Sequence, residues 1–221
     1  MIPEFKQALE EYALARADEQ FMLGQRALAW KGRGRATEKE ALARIGQDEQ
    51  AHARLWYAWL AEMRVQDPAQ YSERPAAEWR CSSLFALPPG DWAFTIARQF
   101  LLDAREVAWT GLAVASPQPR VAEIAAKIGA DERDHLAQTS AWLKRFDRNA
   151  ARRRQLQAAF DVAWPHTAAL FVATELDTWL LDAKVIPSPA MTRQAWMVLV
   201  GNVLNVDNVG NVVHLIKPDQ T

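Results

Sequence analysis

Apolar residues recur along most of this chain at intervals of three and four positions, which is the spacing of one face of an α-helix. No alternating apolar–polar pattern of the kind seen in strands competes with it. The pattern predicts four long helices, at about Pro3–Trp30, Thr37–Gln66 and Asp91–Ala115, and from the Ser116–Pro119 turn to about Phe146. The predicted fold class is therefore all-α.

The predicted connections define the topology of these helices. The turns within the first and second pairs are short, which predicts two antiparallel hairpins. The segment 67–90 contains four prolines and predicts a long connection that permits a crossover. We expect a single domain over 1–221, with a four-helix bundle at about 3–147 and additional C-terminal helices at about 150–204. The tail beyond Leu204 has no clear period.

Composition narrows the functional classes. The chain has 26 basic and 27 acidic residues, a formal net charge of −1, which argues against a protein that grips nucleic acid through a broad basic face. No uncharged apolar stretch is long enough to span a bilayer, and the N-terminus lacks the features of a signal peptide. The one cysteine, Cys81, excludes a multi-thiolate metal site. We expect a cytoplasmic protein with no nucleic acid or membrane partner.

A Glu-x-x-His motif interrupts the apolar seam of two helices. The second helix carries Glu49 and His52, and the fourth carries Glu132 and His135. Residues three apart lie one turn from each other on the same helical face. Each motif is therefore predicted to point into the bundle.

The other two helices each contribute a glutamate at the same level. The midpoint of Glu19 and Glu49 is position 34, in the first turn, and the midpoint of Glu106 and Glu132 is position 119, in the second. Equidistance from a hairpin turn places two residues at the same height in an antiparallel pair. Four buried carboxylates are tolerable only with cations among them.

This set of residues is typical of a dinuclear carboxylate site. One glutamate from each of two helices and Glu-x-x-His from each of the other two hold two iron or manganese ions in four-helix bundles. The predicted ligands are Glu19, Glu49, His52, Glu106, Glu132 and His135. Asp48 and Asp131 precede the two motif glutamates, and we expect each to hydrogen-bond the histidine of the opposite helix.

Other interpretations of the same residues stay open. The glutamates could be neutralised by Arg16, Arg26, Arg98 or Arg105 instead of a metal, and a bound metal could be purely structural. A ferritin-like iron-handling protein and a non-catalytic partner subunit are the alternatives to an enzyme. Tryptophans at helical spacing are expected to be core residues rather than an electron relay.

Three stretches resemble the phenylacetic acid catabolic protein family. They are Leu23-Gly24-Gln25-Arg26 with Trp30, Ile124-Ala125-Ala126-Lys127 leading to Glu132 and His135-Leu136, and the run from Trp164 to Phe171. The resemblance covers roughly Tyr12 to Leu204. It implies a ferritin-like fold.

The resemblance also implies an activity and partners. Catalytic members of the family use two iron ions to activate dioxygen and oxidise an aromatic ring held as a CoA thioester, while scaffold members have generally lost ligands. We therefore expect an oxygen-dependent oxidoreductase with two iron ions (or manganese) and a small-molecule substrate, a CoA thioester being the one the family suggests. A homodimer or a hetero-oligomer with a homologous subunit and a separate electron-donor reductase are the expected partners.

Overall fold

The computed structural model describes residues 3–30, 35–146 and 149–204, and every regular element within them is helical. The predicted all-α class is confirmed. The helices are α1 (Pro3–Ala29), α2 (Ala36–Arg64), α3 (Ala69–Ser72), α4 (Ser83–Ala86), α5 (Trp92–Ala113), α6 (Pro119–Phe146), α7 (Ala150–Ala163), α8 (Asp177–Asp182) and α9 (Pro189–Leu204), with 3-10 turns at Ala76–Glu78 and Trp164–Phe171.

The four long helices form two hairpins that pack against each other. Helix α1 lies along α2, α5 lies along α6, and α2 also contacts α6. Helices α1 and α5 run antiparallel, because Tyr12 meets Trp109 at 2.7 Å while Glu19, further along α1, meets Arg105, earlier in α5. The side chain of Asp91 caps α5 by accepting from the backbone N–H of Phe94 at 2.8 Å.

The connection between α2 and α5 is more structured than its prolines suggest. It contains α3, a 3-10 turn and α4. The buried carboxylate of Asp18 holds it to α1 by accepting from Arg74 and from the backbone N–H of Arg80 at 2.8 Å. The Tyr57 hydroxyl of α2 donates to the same carboxylate at 2.7 Å. One buried acid therefore fixes the connection to both helices of the first hairpin.

The C-terminal helices cover one side of the bundle. Helices α7 and α9 both pack on α5, and the indole of Trp196 in α9 donates to the carbonyl of Leu101 at 2.9 Å. Helix α8 contacts α1. The predicted tail beyond Leu204 lies outside the described residues, and the single-domain organisation stays a prediction. Among the described helices, none has both the length and the apolar character needed to cross a membrane.

The apolar core is divided into two clusters by a polar layer. Along α2, Ile45 belongs to one cluster and Ala53 to the other, and along α6 Trp142 and Ile128 are divided in the same way. The residues between them on these two helices include the Glu-x-x-His motifs. The layer thus lies at mid-bundle, enclosed by packed side chains above and below.

Candidate metal centre

Four buried side chains in the polar layer converge closely enough to hold one metal ion. Each offers a ligand atom, and these atoms all lie within 4.8 Å of one another. The group consists of Glu49, Asp103, Glu132 and His135. Carboxylate oxygen and imidazole nitrogen are the donors that iron and manganese accept in proteins.

The two histidines face the motif glutamates with their Nδ1 atoms. Nδ1 of His52 lies 3.1 Å from Oε1 of Glu132 and 3.9 Å from Oε2 of Glu49. Nδ1 of His135 lies 3.6 Å from Oε1 of Glu49 and 3.7 Å from Oε2 of Glu132. The imidazole centroids are 6.0 Å apart. Both glutamates therefore lie between the histidines, in the position of bridging carboxylates.

The other ring nitrogen of each histidine is held by an aspartate of the facing helix. Nε2 of His52 lies 3.1 Å from Oδ2 of Asp131, and Nε2 of His135 lies 3.2 Å from Oδ2 of Asp48. Metal-binding histidines usually donate their second N–H to such an acceptor. The structure therefore contains the crossed contacts expected of Asp48 and Asp131, and their effect on a metal stays a prediction.

Unsatisfied polar atoms show that the layer fits a cation. Both carboxylate oxygens of Glu49 and of Glu132, and Nδ1 of both histidines, are buried without a hydrogen bond from the protein. Buried carboxylate oxygens without donors are costly and rare in native structures. A metal ion bound among these atoms would satisfy the whole set at once.

Burial and mutual charge shift the ionisation of this metal-free group. Burial, with the charge of Glu132 adding to it, raises the pKa of Glu49 to about 7. Burial acts in the same direction on Glu132, but its contacts with His135 and His52 outweigh it and lower its pKa to about 2. The carboxylates in turn outweigh burial and raise the pKa of His52 to about 9 and of His135 to about 12. Without metal, protons therefore supply the positive charge.

Glu19 and Glu106, the two other predicted ligands, lie outside the group of four and pair with arginines. Arg16 binds both carboxylate oxygens of Glu106, with Nη1 3.1 Å from Oε1. Arg105 donates to Glu19 at 2.5 Å, and its Nε lies 3.0 Å from Glu106. Oε1 of Glu19 also accepts from the backbone N–H of Ser82 at 3.2 Å. Neutralisation by Arg16 and Arg105 was one of the alternatives that the sequence left open.

Asp103, which the sequence analysis missed, supplies the carboxylate of α5. It lies one turn before Glu106 and is fully buried. Gln99 donates to its Oδ1 and Thr139 to its Oδ2, both at 2.8 Å. Hydrogen bonds of this kind fix the orientation of a ligand carboxylate.

A sequence offset could have found Asp103, and it also identifies its counterpart on α1. Glu49 and Glu132 are 83 positions apart, and so are His52 and His135. The same offset relates Gln20 to Asp103. Gln20 is 1% exposed, and its amide nitrogen and oxygen are both buried without a hydrogen bond.

The helix register supports this correspondence. In the antiparallel pair α1–α5, Arg16 meets Glu106 and Glu19 meets Arg105. Continuing this register brings Gln20 level with Asp103. The two halves of the layer therefore differ in one respect, because a neutral amide stands in α1 where α5 has a carboxylate.

Comparison with known proteins identifies the family. The family model described as phenylacetic acid catabolic protein matches residues 1–209. The chain belongs to the phenylacetic acid catabolic protein family. The C-type component of the 1,2-phenylacetyl-CoA epoxidase from Escherichia coli (strain K12) is 32% identical over 192 residues, which cover 85% of this chain and 77% of that protein. The family resemblance inferred from the sequence motifs is thus confirmed.

A solved structure confirms the ferritin-like fold. It is described as protein 19 with aldehyde deformylating oxidase activity from Synechococcus, and it matches with a TM-score of 0.64. The alignment covers 96% of each chain at 18% identity. At this identity the likeness is evidence for the fold alone. The relatives of this phenylacetic acid catabolic protein are thus of oxygenase and oxidase type, and its buried carboxylate–histidine group suits a metal.

Proposed function

We propose that this chain is a metal-dependent oxidoreductase subunit that uses dioxygen to oxidise a small organic molecule. One observation carries the proposal. The ligand atoms of Glu49, Asp103, Glu132 and His135 converge within 4.8 Å in a dry layer, and most of the layer's carboxylate and Nδ1 atoms lack any other partner. A purely structural core has no use for so many unsatisfied acceptors.

Two unequal metal positions follow from the side chains. Glu49, Asp103, Glu132 and His135 provide a complete ligand set for one iron or manganese ion. The second ion would share Glu49 and Glu132 and would be bound by His52 and by the amide oxygen of Gln20. An amide is a weaker ligand than a carboxylate because it carries no charge. We therefore replace Glu19 and Glu106 in the proposed ligand set by Gln20 and Asp103.

The protein's own side chains would orient and isolate the site. Bound iron supplies the activation of dioxygen, with two electrons from a separate reductase and two protons, so that one oxygen atom enters the substrate and the other leaves as water. Asp48 and Asp131 hold the two imidazoles in one orientation. The apolar clusters on both sides of the layer exclude bulk water. Gln99 and Thr139 keep the Asp103 carboxylate facing the other ligands.

A second function, that of a non-catalytic partner subunit, has a specific observation in its favour. Gln20 stands where a carboxylate would complete the second metal position, and arginines neutralise the neighbouring Glu19 and Glu106. The relative from Escherichia coli is one subunit of an epoxidase. A hetero-oligomer with a homologous subunit is compatible with both functions, and the proposed substrate class includes CoA thioesters in either case.

Anaerobic loading with Fe(II) followed by metal analysis tests the proposal. We expect at least one tightly bound iron per chain, and oxidation of the iron when oxygen and a reductant are admitted. Glu49→Ala and His135→Ala should abolish binding. The matched control Gln47→Ala changes an exposed residue on the same helix and should bind iron normally.

Two results separate the candidate functions. Stoichiometric iron that consumes dioxygen only with an added electron donor supports the oxidoreductase. Substoichiometric metal that is unaffected by His135→Ala, with co-purification of a homologous subunit, overturns it in favour of the partner subunit.

A further inference from the structure

A separate cavity lies against α1, α5 and the connection that precedes α5. Its volume is about 550 Å³, which is within the usual range for small-molecule sites. Its walls are mostly apolar and include the indoles of Trp30 and Trp79. Arg26 and Arg98 also line it, and none of the described lining residues is acidic.

The two arginines converge on one point of the cavity wall. Nη1 of Arg98 donates to the carbonyl of Leu87 at 2.8 Å, and Arg26 donates to the same carbonyl through its own Nη1. Nη2 of Arg26 donates to the carbonyl of Ala86 at 3.1 Å. These three bonds all go to neutral carbonyls. Within the described part of the chain, neither guanidinium has a carboxylate partner.

This arrangement leaves positive charge uncompensated. Arg98 is only 4% exposed, and burial together with the charge of Arg26 lowers its pKa to about 10. The ring of Phe94, 5.3 Å from its guanidinium carbon, offers only a weak cation–π contact. A buried cation is normally paired with an anion, because desolvating it alone is expensive.

Capping of α4 does not account for both arginines. Ala86 and Leu87 end that helix, and its last carbonyls need donors. Arg26 alone reaches both of them, so the second cation adds electrostatic repulsion without adding a new acceptor. Each guanidinium has five N–H donors, so most of the ten are left for a ligand.

We propose that this cavity binds a small organic anion, with its carboxylate or phosphate group against Arg26 and Arg98 and its apolar part along Trp30 and Trp79. Guanidinium groups are well suited to both headgroups because they donate two parallel hydrogen bonds. The indoles provide an apolar surface for a hydrocarbon or aromatic body.

The cavity is linked to the metal layer through one side chain. Gln99 lines the cavity and donates its amide N–H to Asp103. A molecule anchored by its anionic end would therefore lie next to a residue that orients a proposed metal ligand. Binding of the anion itself requires no metal, so its failure and the failure of the proposed function are distinguishable.

Calorimetric titration of the metal-free chain tests the site with four probes. They are octanoate, octyl phosphate, octan-1-ol and inorganic phosphate. We expect one or both of the eight-carbon anions to bind at least about tenfold more tightly than the alcohol, because charge-assisted hydrogen bonds are lost with the headgroup. Comparing octanoate with octyl phosphate identifies the preferred headgroup. Inorganic phosphate should bind much more weakly than octyl phosphate.

Variants locate the binding to the two arginines. Arg26→Met removes a half-buried charge and should weaken binding of the anion about tenfold while leaving the alcohol unchanged. Arg44→Met, an exposed arginine of α2, is the matched control and should bind as the parent does. Equal binding of octanol, unchanged affinity in Arg26→Met, or inorganic phosphate binding as tightly as octyl phosphate overturns the proposal. So does the absence of binding by every probe.

Discussion

Nε2 of His135 lies 3.2 Å from Oδ2 of Asp48, which belongs to the facing helix, so the carboxylate orients the imidazole from outside the metal layer. The side chain of Asp48 is 48% exposed, whereas that of His135 is 5% exposed. The aspartate can therefore be changed without opening a cavity in the core.

Asp48→Asn should lower metal affinity while leaving the fold intact. The amide can no longer act as a charged acceptor for the imidazole N–H, and loss of such an outer partner typically costs 10- to 100-fold in affinity. We expect about tenfold, measured by competition with a chelator of known affinity. Asp134→Asn, an exposed aspartate of α6, serves as control, and equal affinities in the two variants would contradict the role of Asp48.

Metal affinity should fall as the pH decreases from 8 to 6. Burial raises the pKa of Glu49 to about 7, so this ligand is ionised above pH 7 and increasingly protonated below it. The raised pKa values of His52, about 9, and of His135 mean that metal must displace protons from both imidazoles throughout this range. Binding therefore releases protons, and the number rises below pH 7 as Glu49 contributes another.

Calorimetry in buffers of different ionisation enthalpy measures this number directly. More protons should be released at pH 6 than at pH 8. A binding enthalpy that is independent of the buffer at both pH values would show that the ligands are not protonated before metal binds.

Gly24→Ala should destabilise the protein by about 1–3 kcal/mol, because α1 and α2 approach too closely there for a side chain. A Cβ atom at Gly24 would lie 2.7 Å from the carbonyl oxygen of Gly46, a backbone atom that cannot move aside cheaply. This contact gives a physical reason for a glycine within the stretch Leu23-Gly24-Gln25-Arg26.

Gly111 in α5 provides the matched control. A Cβ atom there meets nothing within 4 Å, so Gly111→Ala should be neutral or stabilise by up to about 1 kcal/mol through helix propensity. Chemical denaturation measures both variants. Equal effects would mean that the α1–α2 contact does not limit side-chain size.

The Glu-x-x-His motifs were predictable from sequence because helical periodicity fixes which face a residue occupies. The level of a residue along a hairpin also follows from its distance to the turn. The rotation of α1 and α5 about their axes does not, since positions one residue apart share a level but face about 100° apart. For this reason a search for carboxylates selected Glu19 and passed over the adjacent Gln20.

The same limit applies to the second hairpin and to the ion pairs. Glu106 and Asp103 lie one turn apart on α5, and the level test cannot separate them. The partners of Glu106 come from packing of α1 on α5, which joins residues 90 positions apart. The sequence offered Arg16 as one of four arginines and had no means of choosing among them.

Arg16→Leu should destabilise the protein by about 3 kcal/mol at pH 8, because it leaves the buried carboxylate of Glu106 without its main partner. Burial already raises the pKa of Glu106 to about 7, and loss of Arg16 raises it further. The folded variant then binds a proton more readily than the unfolded chain. Its deficit relative to the parent should therefore shrink as the pH decreases towards 5.5.

A double variant separates charge from packing. Arg16→Leu combined with Glu106→Leu removes both charges and should recover most of the lost stability. Arg120→Leu breaks an exposed ion pair with Glu62 and should cost less than about 1 kcal/mol. A deficit in Arg16→Leu that is the same at pH 8 and pH 5.5 would contradict a buried, uncompensated carboxylate.

Gln20→Glu should strengthen the weaker of the two proposed metal positions. The offset of 83 positions and the α1–α5 register both relate Gln20 to Asp103, and its amide is buried without a partner. A carboxylate there would add a charged ligand next to His52 and make the two halves of the layer alike. Without metal, the same substitution buries another acid and should destabilise the protein.

Opposite effects in the two states are therefore the expected signature of Gln20→Glu. Thermal unfolding should show a lower Tm for the metal-free variant than for the parent, and a larger increase in Tm on addition of Fe(II) or Mn(II). Metal analysis should show the second ion retained more tightly. Gln7→Glu, an exposed position of the same helix, should change neither quantity. If Gln20→Glu lowers Tm equally with and without metal, Gln20 lies too far from the second position to act as a ligand.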